Sequence, residues 1–146
     1  MRLTISPEIR KQNQLLQQLW RLRSFPEGKR NCFKISVDRG SKYLIRTIFL
    51  YGNYDDQNFL PQFGLLLGTN KWATVDIKNA SNPQFEEIIH VPSLDYVQIC
   101  LVDTDNGTPF ISTIEFRTLK NHTYVTQYGS LKVIKRYDLG SDIIYR

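Results

Sequence analysis

Lys42–Asp55, KYLIRTIFLYGNYD, decides the fold. From Tyr43 to Tyr51 every residue is apolar, aromatic or β-branched except Arg46. Neither alternate set of positions is polar, so the segment reads as one long strand covered on both faces. Gly52-Asn53 breaks it, and Tyr54, Asp55 and Asp56 follow as loop residues. A buried strand that empties into Tyr, Asn and Asp has the chemistry of a ligand-binding rim. The same residues also make an ordinary turn.

On the amino-terminal side, Asn31–Val37 has strand character, and with Tyr43–Tyr51 it reads as a hairpin across Arg39-Gly40-Ser41. Further back, Ile9, Leu15, Leu16, Leu19 and Leu22 recur at helical spacing, which predicts a short helix over Glu8–Gln18. From Leu19 the run LWRLRSF alternates instead, and Trp20–Phe25 is expected to be extended before the turn at Pro26-Glu27-Gly28. On the carboxyl-terminal side, Phe63, Leu65 and Leu67 alternate with Gly64, Leu66 and Gly68, and Ala73, Val75 and Ile77 follow a turn at Thr69-Asn70-Lys71. Phe85–Val91 is a strand in which Phe85, Ile89 and Val91 share a face with Glu87. Asp95–Val102 is the next strand, Asp103–Pro109 a polar turn, and Phe110–Phe116 a strand in which Phe110, Ser112, Ile114 and Phe116 alternate with their neighbours. A short apolar strand lies around Leu131–Ile134. Roughly seven or eight short strands separated by turns make an all-β sandwich or jelly roll.

The 146 residues suffice for one domain, and 41% hydrophobic with 23% charged residues is ordinary for a globular chain. The formal charge is +5, concentrated in Arg21, Arg23, Lys29 and Arg30 and again in Lys132, Lys135 and Arg136. Such a balance is compatible with acidic polysaccharide, nucleic acid or an anionic membrane, and equally with a solvated basic surface. No run of four consecutive Lys or Arg occurs and no nucleic-acid motif accompanies the charge, so no nucleic-acid partner is expected. No apolar stretch approaches the roughly 20 residues of a membrane span. The opening MRLTISPEIRKQNQ is too polar for the apolar segment of a signal peptide.

Two other features point to the secretory route. Cys32 and Cys100 each fall on the more polar side of a strand; they fit one inter-strand disulfide or two half-buried thiols, because sequence does not give the Cα separation. Three glycosylation sequons, beginning at Asn79, Asn106 and Asn121, all lie in polar, turn-like segments.

Four ordered stretches carry a family resemblance: LLQQLWRLRSFPEGKRNCF from Leu15, KYLIRTIFLYGNYD from Lys42, PQFGLLLGTNKWATV from Pro61, and EEIIHVPSLDYVQICLVDTDNGTPFISTIEFRTL from Glu86. Together they resemble the malectin-like domain of plant leucine-rich-repeat receptor-like kinases. The resemblance covers residues 15–140, with 1–14 a divergent amino-terminal segment and 141–146 the start of a linker. It implies a malectin-like, galactose-binding-like β-sandwich on the extracellular face of the plasma membrane. It also implies that this chain matches the first of two tandem halves, and that the parent receptors' kinase domain lies elsewhere.

Animal malectin, a lectin for a glucose disaccharide, holds sugar between aromatic rings, and polar side chains take the hydroxyls. Tyr51 is similar in position to one of those aromatics, whereas the neighbouring aromatic falls on Gly52. Asn53, Tyr54 and Asp55 are candidates to rebuild the clamp, and Trp72 is a further ring for stacking or for plugging the sandwich edge. The expected partners are therefore a cell-wall oligosaccharide or an extracellular peptide or co-receptor.

Neither catalysis nor a cofactor is indicated. His90 and His122 sit in no nucleophile–base motif, and the adjacent Asp55 and Asp56 cannot flank a glycosidic bond. Asp103-Thr104-Asp105-Asn106-Gly107 fails the spacing of a calcium loop, so no metal site is expected.

Overall fold

A computed structural model describes residues 1–12, 14–124 and 130–133. It contains three antiparallel sheets. Strands β1 (Arg2–Thr4), β2 (Arg21–Ser24) and β9 (Phe110–Ile111) form a small sheet in the order β1-β2-β9. Strands β10 (Thr113–Leu119), β4 (Lys42–Phe49), β7 (Gln84–His90) and β11 (Ser130–Val133) form the second sheet in that order. Strands β3 (Arg30–Ser36), β8 (Tyr96–Asn106), β5 (Gln62–Leu67) and β6 (Asn70–Asp76) form the third.

The two four-stranded sheets face one core, to which β4 contributes Ile45 and Phe49, β7 Ile88, β5 Phe63 and Leu65, and β8 Ile99 and Leu101. As its composition predicts, β4 is buried along almost its whole length, with Arg46 the one half-exposed residue. Its outer face is settled by charge pairing. Arg46 stands directly across from Glu87 on one side and Glu115 on the other. It donates to Glu87 Oε1 at 2.6 Å and lies 3.5 Å from Glu115.

The expected hairpin across Arg39-Gly40-Ser41 does not form. β3 pairs with β8 while β4 pairs with β10 and β7, so residues 37–41 carry the chain from one sheet to the other. Gly40, at φ 80°, makes that crossing. A strand buried on both faces needs partners on both edges, and β10 and β7 occupy both edges of β4.

Two further boundaries differ from expectation. β8 runs on through the polar Asp103–Asn106, because Gln62 and Phe63 of β5 continue to pair with it and Thr104 Oγ1 donates to the Gln62 carbonyl at 2.7 Å. The segment from Phe110 to Phe116 divides at Ser112 into β9 and β10, which belong to different sheets. Ser112 N donates to the Ile48 carbonyl at 3.0 Å and its Oγ accepts from Leu50 N at 3.0 Å, which holds the corner.

The amino-terminal helix is shorter than the apolar spacing predicts. An α-helix, α1 (Pro7–Gln12), is followed by a 3-10 helix over Gln14–Leu19. The tighter winding returns the chain so that Ile5 N reaches the Trp20 carbonyl at 3.0 Å and β1 pairs with β2. In β7, Phe85, Glu87 and Ile89 share a face as expected, Ile88 on the other face enters the core, Phe85 is left 50% exposed, and the strand ends at His90, one residue before Val91. Of the last predicted strand, Leu131–Val133 lies in β11; Ile134 and the proposed linker at 141–146 lie outside the described residues.

Phe110 ties the three sheets together. Its ring lies 6.2 Å from Phe49 of β4 and 5.7 Å from Phe63 of β5, all three fully buried. Phe110→Ala is expected to cost roughly 3–5 kcal/mol in a urea unfolding titration, whereas Phe85→Ala stays within about 0.5 kcal/mol of the parent.

Cys32 of β3 and Cys100 of β8 are directly opposed, Cα to Cα 4.0 Å, and form a disulfide on the side away from the core. It joins residues 68 apart in sequence, so reduction should lower stability by about 2–4 kcal/mol, read from melts with and without reductant.

Candidate functional site

The loop after β4 gathers four of the expected site residues. Gly52 (φ 56°), Asn53 (φ 47°), Asp56 (φ 55°) and Asn58 (φ 52°) all take left-handed backbone, which Gly, Asn and Asp tolerate best. The polar groups are spent within the loop. Tyr51 Oη donates to Asp55 Oδ1 at 2.5 Å and lies 3.3 Å from Asn53 Oδ1. Asn58 N donates to Asn53 Oδ1 at 2.9 Å and Gln57 N to Asp55 Oδ1 at 3.3 Å. The Tyr54 hydroxyl shares a hydrogen with Ser24 Oγ at 3.3 Å.

Tyr51 is therefore an interior residue. It is 1% exposed, with Tyr54 at 5.4 Å and Phe110 at 6.0 Å from its ring. A pyranose has no open Tyr51 face to stack on, so the expected sugar-contacting role for this ring is not what the geometry provides. The position of the missing aromatic is filled as well. A Cβ on Gly52 would overlap the Ile5 side chain, and Ser6 N donates to the Gly52 carbonyl at 2.8 Å. The amino-terminal segment thus occupies the space beside Tyr51. Sequence reasoning missed Phe59 and Leu60, which are exposed at the end of this loop; the signal was an apolar pair between Asn58 and Pro61 in an otherwise polar turn.

Trp72 lies elsewhere. Lys71 and Ala73 pair with Leu66 and Leu65, so Trp72 is the extra residue of a β-bulge, and the bulge turns its ring inward beside Ala73. Trp72 is 6% exposed, and its indole N–H has no hydrogen-bond partner among the described residues. It borders a groove of about 710 Å³ that also meets Asn70, His90, Tyr96, Gln98 and Ser130. Because His90 pairs with Tyr43, this groove lies at the opposite end of β4 from Tyr51. His90 Nδ1 and Ser130 Oγ are 2.7 Å apart, and burial holds the imidazole below its ordinary pKa. The Lys34 ammonium lies 4.1 Å from the centre of the Tyr96 ring.

The remaining candidates are placed without ambiguity. Asp103 and Asp105 of the DTDNG run both pair with Lys29, so these carboxylates already have a cation. Among the described residues no group of three or more His, Cys, Asp or Glu is arranged to hold a metal ion. Asn79, Asn106 and Asn121 are all exposed. No helix among the described residues is long and apolar enough to cross a membrane.

The chain is an all-β domain with one disulfide, exposed sequons and a tyrosine-lined loop closed by its own amino-terminal segment. The chain belongs to the malectin-like domain family, whose model matches residues 3–146. A probable LRR receptor-like protein kinase of Arabidopsis thaliana is 54% identical over 123 residues, 84% of this chain and 14% of that protein. The LRR receptor-like serine/threonine-protein kinase IOS1 of Arabidopsis thaliana is 48% identical over 130 residues, 89% of this chain and 14% of its own length. The chain thus spans about a seventh of these relatives (14%). Among solved structures, the plant receptor-like kinase ANX2 superposes with a TM-score of 0.66 at 15% identity, over 82% of this chain and 33% of that one. The plant peptide RALF23 in complex with FER and LLG2 gives a TM-score of 0.57 at 15% identity, over 77% of this chain and 31% of that one. At these identities the likeness is one of fold.

Burial first, and then the hydrogen bond to Asp55, raise the Tyr51 phenol above its ordinary pKa of 10.0. A raised phenol contributes stability that is complete below the unfolded value and is lost as pH climbs beyond it. Thermal melts between about pH 8 and 11 should therefore fall more steeply for the parent than for Tyr51→Phe. At neutral pH that substitution should cost about 1 kcal/mol through the lost hydrogen bond.

Proposed function

We propose that this chain is a non-catalytic recognition module from the extracellular part of a plant receptor-like kinase, held at the plasma membrane by its parent protein. It engages an extracellular peptide or co-receptor protein. One observation carries the choice of protein over sugar: the Tyr51 ring is buried with its hydroxyl bonded to Asp55, and Ile5 fills the space beside Gly52. The fold neighbour solved with a peptide and a further protein lends support by analogy. The disulfide suits an oxidising compartment. Asn79, Asn106 and Asn121 stand open to glycosylation, and the kinase activity of the relatives resides outside this chain.

A second reading rests on a separate observation. The Trp72 groove has the volume of a small-ligand site, an indole N–H with no partner among the described residues and amide side chains suited to hydroxyl groups, which together favour a cell-wall oligosaccharide there.

The discriminating experiment applies extracellular plant extract to the immobilised chain, produced in a secretory host, before and after protease treatment, alongside an array of cell-wall oligosaccharides. Specific binding that protease abolishes, with a silent array, is the expected result. Array binding that Trp72→Phe removes establishes the second reading instead.

A further inference from the structure

We propose that the arginine-lined groove over the small sheet is a docking site for an acidic, extended peptide segment of a partner protein, an inference that rests on the protein-recognition reading above. The groove has a volume of about 760 Å³ and lies between the outer face of β1 and β2 and the neighbouring β3 and β10. Arg2, Arg21 and Arg23 line it, and all three are exposed. No carboxylate lines it, and none of the three arginines forms an ion pair among the described residues.

Register makes this arrangement costly. Arg2 and Arg23 are direct cross-strand partners, and Arg21 projects from the same face two residues from Arg23. Like charges set opposite each other on a sheet repel. Arg46 on β4 is arranged differently, because it faces Glu87 and Glu115. No carboxylate among the described residues neutralises these three guanidinium groups, so an anion from outside can pair with them, and guanidinium pairs carboxylates through two parallel hydrogen bonds.

The floor distinguishes a peptide from an acidic sugar. Of the aliphatic residues that border it, Leu22 and Ile111 are buried in the core, and Leu3 and Ile114 are half-buried. The one aromatic ring, Phe33, has the Arg23 guanidinium 5.7 Å from its centre and Phe25 packed edge-on at 5.6 Å, so it offers little free face to a pyranose. In an extended peptide, alternate side chains stand about 7 Å apart on one side. That repeat sets carboxylates on one side of the peptide against Arg21 and Arg23, with the intervening side chains pointing away from the sheet.

The test measures fluorescence anisotropy of the full chain with a labelled peptide of alternating glutamate and leucine, its glutamine-for-glutamate counterpart, and an oligomer of galacturonic acid. The glutamate peptide should bind, weaken as salt is raised, and bind roughly ten-fold or more tighter than the glutamine peptide. Arg21→Gln/Arg23→Gln should lose that advantage, while Arg39→Gln/Lys78→Gln, which removes the same charge elsewhere, keeps it. The arginine variant should melt close to the parent, since relief of the Arg2–Arg23 repulsion offsets the lost Arg23–Phe33 contact, so lost binding will not reflect lost folding. No binding, equal binding by both double variants, or binding of the galacturonate oligomer alone overturns the inference. If the arginine variant still captures the protease-sensitive extracellular partner, the docking site is wrong but the protein-recognition reading stands.

Discussion

The packing of Phe110 against Phe49 and Phe63 is the contact on which the other features depend. Phe110 sits on a two-residue strand in the small sheet, Phe49 at the end of β4 in the second sheet, and Phe63 at the start of β5 in the third. Short strands with few ladder hydrogen bonds do not hold a sheet in place; buried aromatic area does. The same ring reaches Tyr51 at 6.0 Å and Tyr54 at 5.5 Å, so the loop after β4 is anchored to the junction rather than left at the surface. The amino-terminal segment then closes over Gly52 through Ile5, and β1 adds to the sheet that carries Phe110.

The architecture was legible where one element's residues state their own environment. β4 announced burial on both faces, and the β5–β6 hairpin was visible in the alternation of Phe63–Leu67 and Ala73–Ile77. Which strands pair was not legible. The Arg39-Gly40-Ser41 turn suits a hairpin and an inter-sheet crossing equally, and only the long-range partners β8, β10 and β7 decide between them. The polar end of β8 was hidden for a related reason: Asp103–Asn106 lacks strand composition and is held extended by β5. The end of the amino-terminal helix was set by the return of Trp20 to Ile5, a contact no local pattern contains.

The candidate site was legible in composition and not in accessibility. Tyr51, Asn53, Tyr54 and Asp55 do come together, but as a network that satisfies itself. A Tyr that lends a ring to a ligand and one that lends it to the core have the same neighbours in sequence; the difference lies in Ile5, some 45 residues away by the spacing of the chain. Trp72 was recognisable as an edge residue, but the bulge that turns it inward follows from a register shift against Leu65 and Leu66. The cysteines stood on the correct side of their strands, and the pairing of β3 with β8 brings them together.

The treatment of cations separates framework from open surface. Lys42 is buried, yet its ammonium donates to the carbonyls of Asn121, Thr123 and Tyr124 at 2.9, 2.9 and 2.7 Å, which uses all three of its protons. Arg46 is likewise enclosed by carboxylates. Lys29 bridges Asp103 and Asp105 at the end of β8. Each of these three cations meets an oxygen acceptor within the fold. Arg2, Arg21 and Arg23 depart from that practice on a sheet whose inner face carries the central aromatic contact. Burial of Phe110 supplies stabilisation of several kcal/mol, enough to tolerate a like-charge pair that costs at most about 1 kcal/mol. A repulsive pair kept on a well-anchored sheet is free to serve a partner that brings the missing carboxylates.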